Sequence, residues 1–264
     1  MLQADWHENS CSNIAPVIPA GDVLITETGI SGSTRIRRIK EGKMLWEETV
    51  PLMRQGYHKE MLVKAYDQAG SGKKIYPPRD NVFDALRIAR LDTLKVVIIG
   101  QDPYFNEHPG KGPEAHGLCF SVRKGIPEPP SLRNILKEIN DSVYGGKAVS
   151  VDTDLSRIAR QGVLLINASL TVIAKQPNSH AGLGWHKLTD DIIKTISEKR
   201  EHVVFMLWGA FAQKKAHLID SNKHLILQTS HPSPLSSHKG FLGSNVFVKC
   251  NEYLVKHSIQ PIQW

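Results

Sequence analysis

The sequence predicts a single α/β domain built on a central four-stranded parallel sheet flanked by helices. Three observations carry that prediction. Four short runs, "KVVIIG" (95–100), "VLLIN" (163–167), "HVVFMLWG" (202–209) and "HLILQTS" (224–230), are almost continuously apolar, as strands covered on both faces must be. Segments with helical periodicity lie between them, the alternation expected of βαβ units. No internal repeat and no second apolar core divides the chain, and 264 residues suffice to bury one core.

In chain order, residues 1–42 are rich in Gly, Ser, Thr and Pro and close on the basic run "RIRRIK", Arg35 to Lys40. They read as an N-terminal extension, partly disordered and ordered around "VLITE", ahead of a domain spanning 43–264. The basic run reads as a solvated tail; the alternative is a non-specific phosphate contact. From Met44 to Asp67, apolar residues (Leu45, Trp46, Val50, Met53, Met61, Leu62, Ala65) recur at helical spacing, and Pro51 should divide or start a helix. "GSGKK" (70–74) lacks the first glycine of a phosphate loop and has Lys74 where Ser or Thr belongs, so it reads as a turn. Of the later helical segments, "SLRNILKEI" begins at Ser131 as an N-cap and "DLSRIARQG" closes at Gly162. "KLTDDIIKTISEKR" sets Leu188, Ile192, Ile193 and Ile196 on one face, and "FAQKKAHLID" follows Gly209.

Composition narrows the partners. Lys plus Arg exceed Asp plus Glu by 33 to 26, a net charge of +7 with a pI near 9.2, which hints at a polyanion. Three widely spaced cysteines, Cys11, Cys119 and Cys250, suggest neither a disulfide framework nor a zinc knuckle, and a reducing, cytoplasmic compartment is expected. The N-terminal residues do not read as a secretory signal, and no stretch has the apolar length to span a bilayer. With neither HExxH nor paired CxxC, no metal and no cofactor is expected.

Chemistry gathers where the strands end. The first runs into "GQDPY", the second ends in Asn167, the third in "WGA" and the fourth in "HPSPLSSH" (231–238). Ligands of open α/β sheets bind outside the carboxyl ends of the strands, so Asp102, Tyr104, Asn167 and His231 can meet there although far apart in sequence. Each has a bland alternative: Asp102 as an Asp-Pro turn, Asn167 as a cap, His231 as a structural histidine. Their coincidence at one end of adjacent strands favours a site. Asn167 offers a planar donor–acceptor pair for a base edge. The Asp102 carboxylate can orient water or stabilise positive charge. Phe120, in "HGLCFSV", is equally a stacking platform or a core residue. The Pro- and Ser-rich loops "IPEPPSL" (126–132) and "HPSPLSSH" suit phosphate contacts, with Leu235 either a wedge into a base stack or an ordinary exposed leucine.

"GQDPY", "AHGLCFSV", "PPSL", "QGVLLINASLTV", "LWGAFAQKK" and "HPSPLS", in this order, closely resemble the family 1 uracil-DNA glycosylases, over roughly Met44 to Trp264. The resemblance implies a monofunctional glycosylase that hydrolyses uracil from single- or double-stranded DNA and leaves an abasic site. It implies that Asp102 orients the attacking water and stabilises the cationic sugar, and that His231 donates to uracil O2. Asn167 would pair with uracil O4 and N3–H. Tyr104 would exclude the methyl of thymine, Phe120 would stack on the flipped base, and Gln101 would line the pocket through its backbone. Leu235 would enter the duplex, while Ser131, Ser233 and Ser236 hold phosphates. The implied partners are uracil-containing DNA and a proteinaceous inhibitor, with a monomeric enzyme and no membrane. The sequence departs from the family in four places. Phe105 replaces a histidine, and "FNEHPGKGPE" is about five residues longer than expected. Ala210 stands where a Ser is common, and Gln263 replaces an Asp in the terminal motif. Rival readings are a glycosylase of altered base preference and a non-catalytic DNA-binding protein.

Overall fold

The computed structural model describes residues 22–28, 34–40, 45–67, 72–147 and 152–264. The chain forms two compact units, 1–43 and 44–264. Within the first, β1 (Asp22–Thr28) takes in "VLITE" and pairs antiparallel with β2 (Thr34–Lys40), which takes in the basic run.

The second unit opens with α1 (Trp46–Thr49), α2 (Pro51–Arg54) and α3 (Tyr57–Asp67). Pro51 starts α2 at a position whose N–H has no intrahelical partner to lose. Next come β3 (Ile75–Tyr76), α4 (Asp84–Ile88), β4 (Val96–Gly100), β5 (Glu107–His108), β6 (Gly112–Pro113) and α5 (Pro130–Tyr144). After them follow α6 (Ser156–Ala159), β7 (Val163–Asn167), β8 (Val172–Ile173) and α7 (Trp185–Lys199). The chain closes with β9 (Val204–Trp208), α8 (Gly209–Gln213), β10 (Leu225–Thr229) and α9 (Val246–Lys256).

The central sheet has four parallel strands in the order β10-β9-β4-β7, as expected from the four apolar runs. β4, β7 and β9 are buried throughout, but β10 lies at the edge and is half-buried, with Gln228 exposed, so only three of the runs are covered on both faces. The chain leaves β4 for β7 on one side and later builds β9 and β10 on the other. In open sheets such a reversal of winding places the ligand crevice at the carboxyl ends of the strands, here beyond β4.

Ser131 is not the N-cap of its helix. Pro129 caps α5, Pro130 is its first residue and Ser131 the second, because a proline in the first turn has no N–H to leave unsatisfied. α9 has no counterpart among the expected elements. Its Val246, Phe247, Cys250 and Leu254 are buried, and it packs on β9 and β10. The nearly inaccessible Glu138 carboxylate fixes its start by accepting from Gly243 N at 2.6 Å and Asn245 N at 2.9 Å. The C-terminal segment folds back onto this unit: Asn251 both donates to and accepts from the Ile262 backbone, and the buried Trp264 ring lies 4.8 Å from Phe247. Cys119 and Cys250 are buried free thiols. Among the described residues, no helix is long and apolar enough to cross a membrane. The "GSGKK" turn lies partly outside the described residues; its Gly72 is in a turn.

Candidate active site

The apolar β4 runs straight to Gly100, opposite Asn167 in the ladder. A Cβ at Gly100 would stand 2.2 Å from Asn167 Oδ1 and 2.9 Å from Cys119 Cβ. Only a glycine therefore lets the Asn167 amide lie across the end of β4. That amide is buried and makes no hydrogen bond among the described residues, so its donors and acceptor remain available.

Pairing continues past the strand end. Ala168 N donates to Gly100 O and Ser169 N to Gln101 O, both at 2.9 Å. The next residue, Asp102, is half-buried, and its Oδ2 accepts the backbone N–H of Asn178 at 2.9 Å. Burial holds the Asp102 carboxyl above the ordinary carboxylate range, against the downward pull of the Asn178 N–H. Asn178 also accepts from Gln101 Nε2 at 2.7 Å, so the 175–180 loop braces both residues. Asn178 sits at φ +61°, a conformation asparagine tolerates better than most residues. Sequence reasoning missed it; the dipeptide Pro177-Asn178 marks a turn but not a contact with Asp102.

Tyr104 packs against the core with its hydroxyl buried and unpaired, and burial raises its pKa far above the ordinary phenol. Phe120, at φ +61°, lies with its ring 5.4 Å from Trp208 and 5.8 Å from His231. His231 follows β10 and crosses Gly209, whose φ is +83° and where a Cβ would meet His231 Cβ at 2.8 Å. Ser233 N donates to His231 Nδ1 at 3.1 Å, which fixes Nδ1 as the acceptor and puts the proton of the neutral ring on Nε2. Burial lowers the His231 pKa, so the ring is neutral at pH 7.

The loop after His231 is braced from within. Ser236 Oγ donates to His231 O at 2.9 Å and lies 3.1 Å from Ser233 Oγ; Ser230 Oγ donates to Ser236 O at 2.8 Å. Asn134 of α5 holds the loop through Pro232 O at 2.8 Å. Leu235 stands out from it, 84% exposed. Ser131, in the first turn of α5, is half-buried, and its hydroxyl makes no hydrogen bond among the described residues.

The long 105–114 connection is a built hairpin, β5 against β6. Phe105 packs with Tyr76, Ala115 and Val172. Glu107 accepts from Lys74 Nζ at 2.6 Å and from the Tyr76 hydroxyl at 2.6 Å, while His108 Nε2 meets Glu114 Oε1 at 3.0 Å. Lys175 N donates to Phe105 O at 2.8 Å, tying the hairpin to the loop that carries Asn178. Among the described residues, no cluster of His, Cys, Asp or Glu could hold a metal ion.

Residues 89–255 match the family model of the Uracil DNA glycosylase superfamily. The uracil-DNA glycosylase of Azotobacter vinelandii is 51% identical over 201 residues, covering 75% of this chain and 82% of that protein. That of Francisella tularensis subsp. novicida is 48% identical over 222 residues, covering 84% and 98%. The crystal structure of mimivirus uracil-DNA glycosylase superposes with a TM-score of 0.77 at 28% identity, over 83% of this chain and 85% of that one. A variant of the mimivirus enzyme solved in complex with UGI gives 0.76 at 27% identity, over 84% and 88%. The family model covers more than half of the sequence and the relatives are about half identical over most of it: this chain belongs to the uracil-DNA glycosylase superfamily.

Proposed function

We propose that this protein excises uracil from DNA by hydrolysing the N-glycosidic bond, as a monofunctional glycosylase of base excision repair. The observation that carries the assignment of roles is the convergence of Asp102, Asn167 and His231 on the carboxyl rim of one sheet. Bond cleavage leaves negative charge on the departing base and an oxocarbenium-like sugar. The Nε2–H of a neutral His231 is a donor for that base oxygen. A half-desolvated Asp102 carboxylate, fixed by Asn178, faces the sugar, where it stabilises positive charge and orients water. Asn167 has both a donor and an acceptor free, which matches uracil O4 and N3–H and mismatches cytosine. Tyr104 closes the C5 side and Phe120 supplies the stacking face, with the Gln101 backbone beside them. The target must leave the stack to reach this crevice, and the exposed Leu235 is placed to fill the gap. Ser131, Ser233 and Ser236 are the proposed phosphate contacts.

Both single- and double-stranded DNA are substrates in this reading, and the enzyme is a cytoplasmic monomer. The UGI complex of the mimivirus relative supports binding of a proteinaceous inhibitor. Residues 1–42 stand outside the proposed catalytic domain. Phe105, packed with Tyr76, Ala115 and Val172, is assigned no contact with the base in this reading.

The test is an oligonucleotide with a single uracil beside a thymine control, treated with alkali to reveal abasic sites. Alkali-dependent cleavage at uracil alone, lost in Asp102→Asn while DNA binding persists, is the expected result. Near-normal turnover by that variant overturns the role of Asp102, and cleavage at thymine overturns the assigned specificity.

A further inference from the structure

At the opposite, amino ends of β4 and β7 lies a basin of about 590 Å³ lined by Thr93, Lys95, Arg157, Arg160, Gln161, Gln260 and Gln263. Its volume falls in the range of small-ligand pockets, roughly 300–1,000 Å³. Three cations line it, and no carboxylate does. Asp152 is the acid that senses Arg157, but it pairs with Lys124 at 3.0 Å and does not line the basin.

The basin is open, with Thr93, Arg157, Arg160, Gln260 and Gln263 exposed, but its walls are tied together. Gly162, at φ +96°, lets the 160–162 turn press on the strand before it; a Cβ there would stand 2.4 Å from Thr93 O and 3.3 Å from Lys95 Cγ. Lys95 is half-buried and donates to Gln260 O at 3.1 Å, and Arg157 donates to Gln263 O at 2.7 Å. Gln161 grips both the N–H and the C=O of Gln263. These bonds fix the walls yet leave donors over. The Arg160 guanidinium, the Thr93 hydroxyl and the amides of Gln260 and Gln263 have no partner among the described residues.

We infer that this basin binds a mononucleotide, with its phosphate on Lys95, Arg157 and Arg160 and its base or sugar against the glutamine amides. Uncompensated guanidinium groups match phosphate geometry. The volume exceeds what a lone phosphate fills, and free planar amides suit a base edge. The site is separate from the proposed base pocket, since it sits at the other end of the same strands.

The test is calorimetric titration of the full chain with adenosine monophosphate, with inorganic phosphate and a uracil-free oligonucleotide as comparison probes. One site for the nucleotide is expected, with affinity at least about tenfold weaker in Arg160→Gln, the loss expected for removed charge-assisted contacts. That variant should keep the wild-type melting temperature and uracil excision. No nucleotide binding by folded wild-type protein overturns the proposal. So does binding that the variant leaves unchanged, inorganic phosphate bound as tightly as the nucleotide, or displacement of the nucleotide by the oligonucleotide.

Discussion

At Asp102, burial and chemistry make opposite demands. The proposed role needs an ionised carboxylate, while burial favours the protonated form and raises the pKa. A carboxyl whose folded pKa lies above its unfolded value adds its full stability only below the unfolded value. That stability is lost as pH rises through the folded pKa. Asp102→Asn is therefore expected to raise the melting temperature at pH 7, with the gap closing as pH falls below the ordinary value of 3.8; thermal scans across that range check it. The same variant should lose roughly 10²–10³-fold or more in turnover, a loss of the size seen when one preorganised electrostatic group is removed. The acid limb of the rate profile should lie above the pH of an ordinary Asp. At Gly100 the constraint is steric. Gly100→Ala drives a methyl into Asn167 Oδ1, so denaturant titration should show a loss of about 1–3 kcal/mol from overpacking. The variant should also excise uracil more slowly, because the amide proposed to read the base is displaced. The placement of Asn167, Asp102 and His231 at one end of the sheet was legible because Asn167 ends β7 and the other two follow β4 and β10 within two residues. Asn178 was not, because it holds Asp102 through a backbone N–H that any residue could supply.

Elements differ in how far local sequence dictates them. The strands β4, β7 and β9 announce themselves by unbroken apolar runs, and α7 by its periodic Leu188, Ile192, Ile193 and Ile196. α9 has periodic apolar residues too, but its start depends on Glu138, far away in α5, which no local cap signal reveals. The β5–β6 hairpin is likewise held by Lys74 and Tyr76 from another part of the chain, so its two-residue strands carry no pattern of their own. The loop from His231 to Ser237 is rigid through its own serines and Asn134, and Leu235 rides on it. Leu235→Ala should leave the melting temperature unchanged, since the side chain is 84% exposed. It should slow excision from duplex more than from single strands, as compared in parallel time courses, because only a duplex must be opened.

At the scale of the molecule, the C-terminal tail closes the core. Trp264 is buried against Phe247, its carbonyl accepts from the Tyr144 hydroxyl, and the residues before it are held by Asn251 and Gln161. Trp264→Ala should cost about 3–5 kcal/mol, read from urea unfolding, with the rim of the sheet otherwise unaltered. The parallel sheet has a further consequence, in time rather than in space. Asp102 follows its first strand and His231 its last, and strands paired at long range form late, once loop closure has been compensated. Asn167 ends the remaining edge strand, so only the complete four-stranded sheet holds Asp102, Asn167 and His231 together. A chain growing from its N-terminus completes the carboxylate's strand long before the histidine's strand exists. Glycosylase activity should therefore return during refolding only with the slowest structural phase, so the enzyme reports the completion of its own sheet.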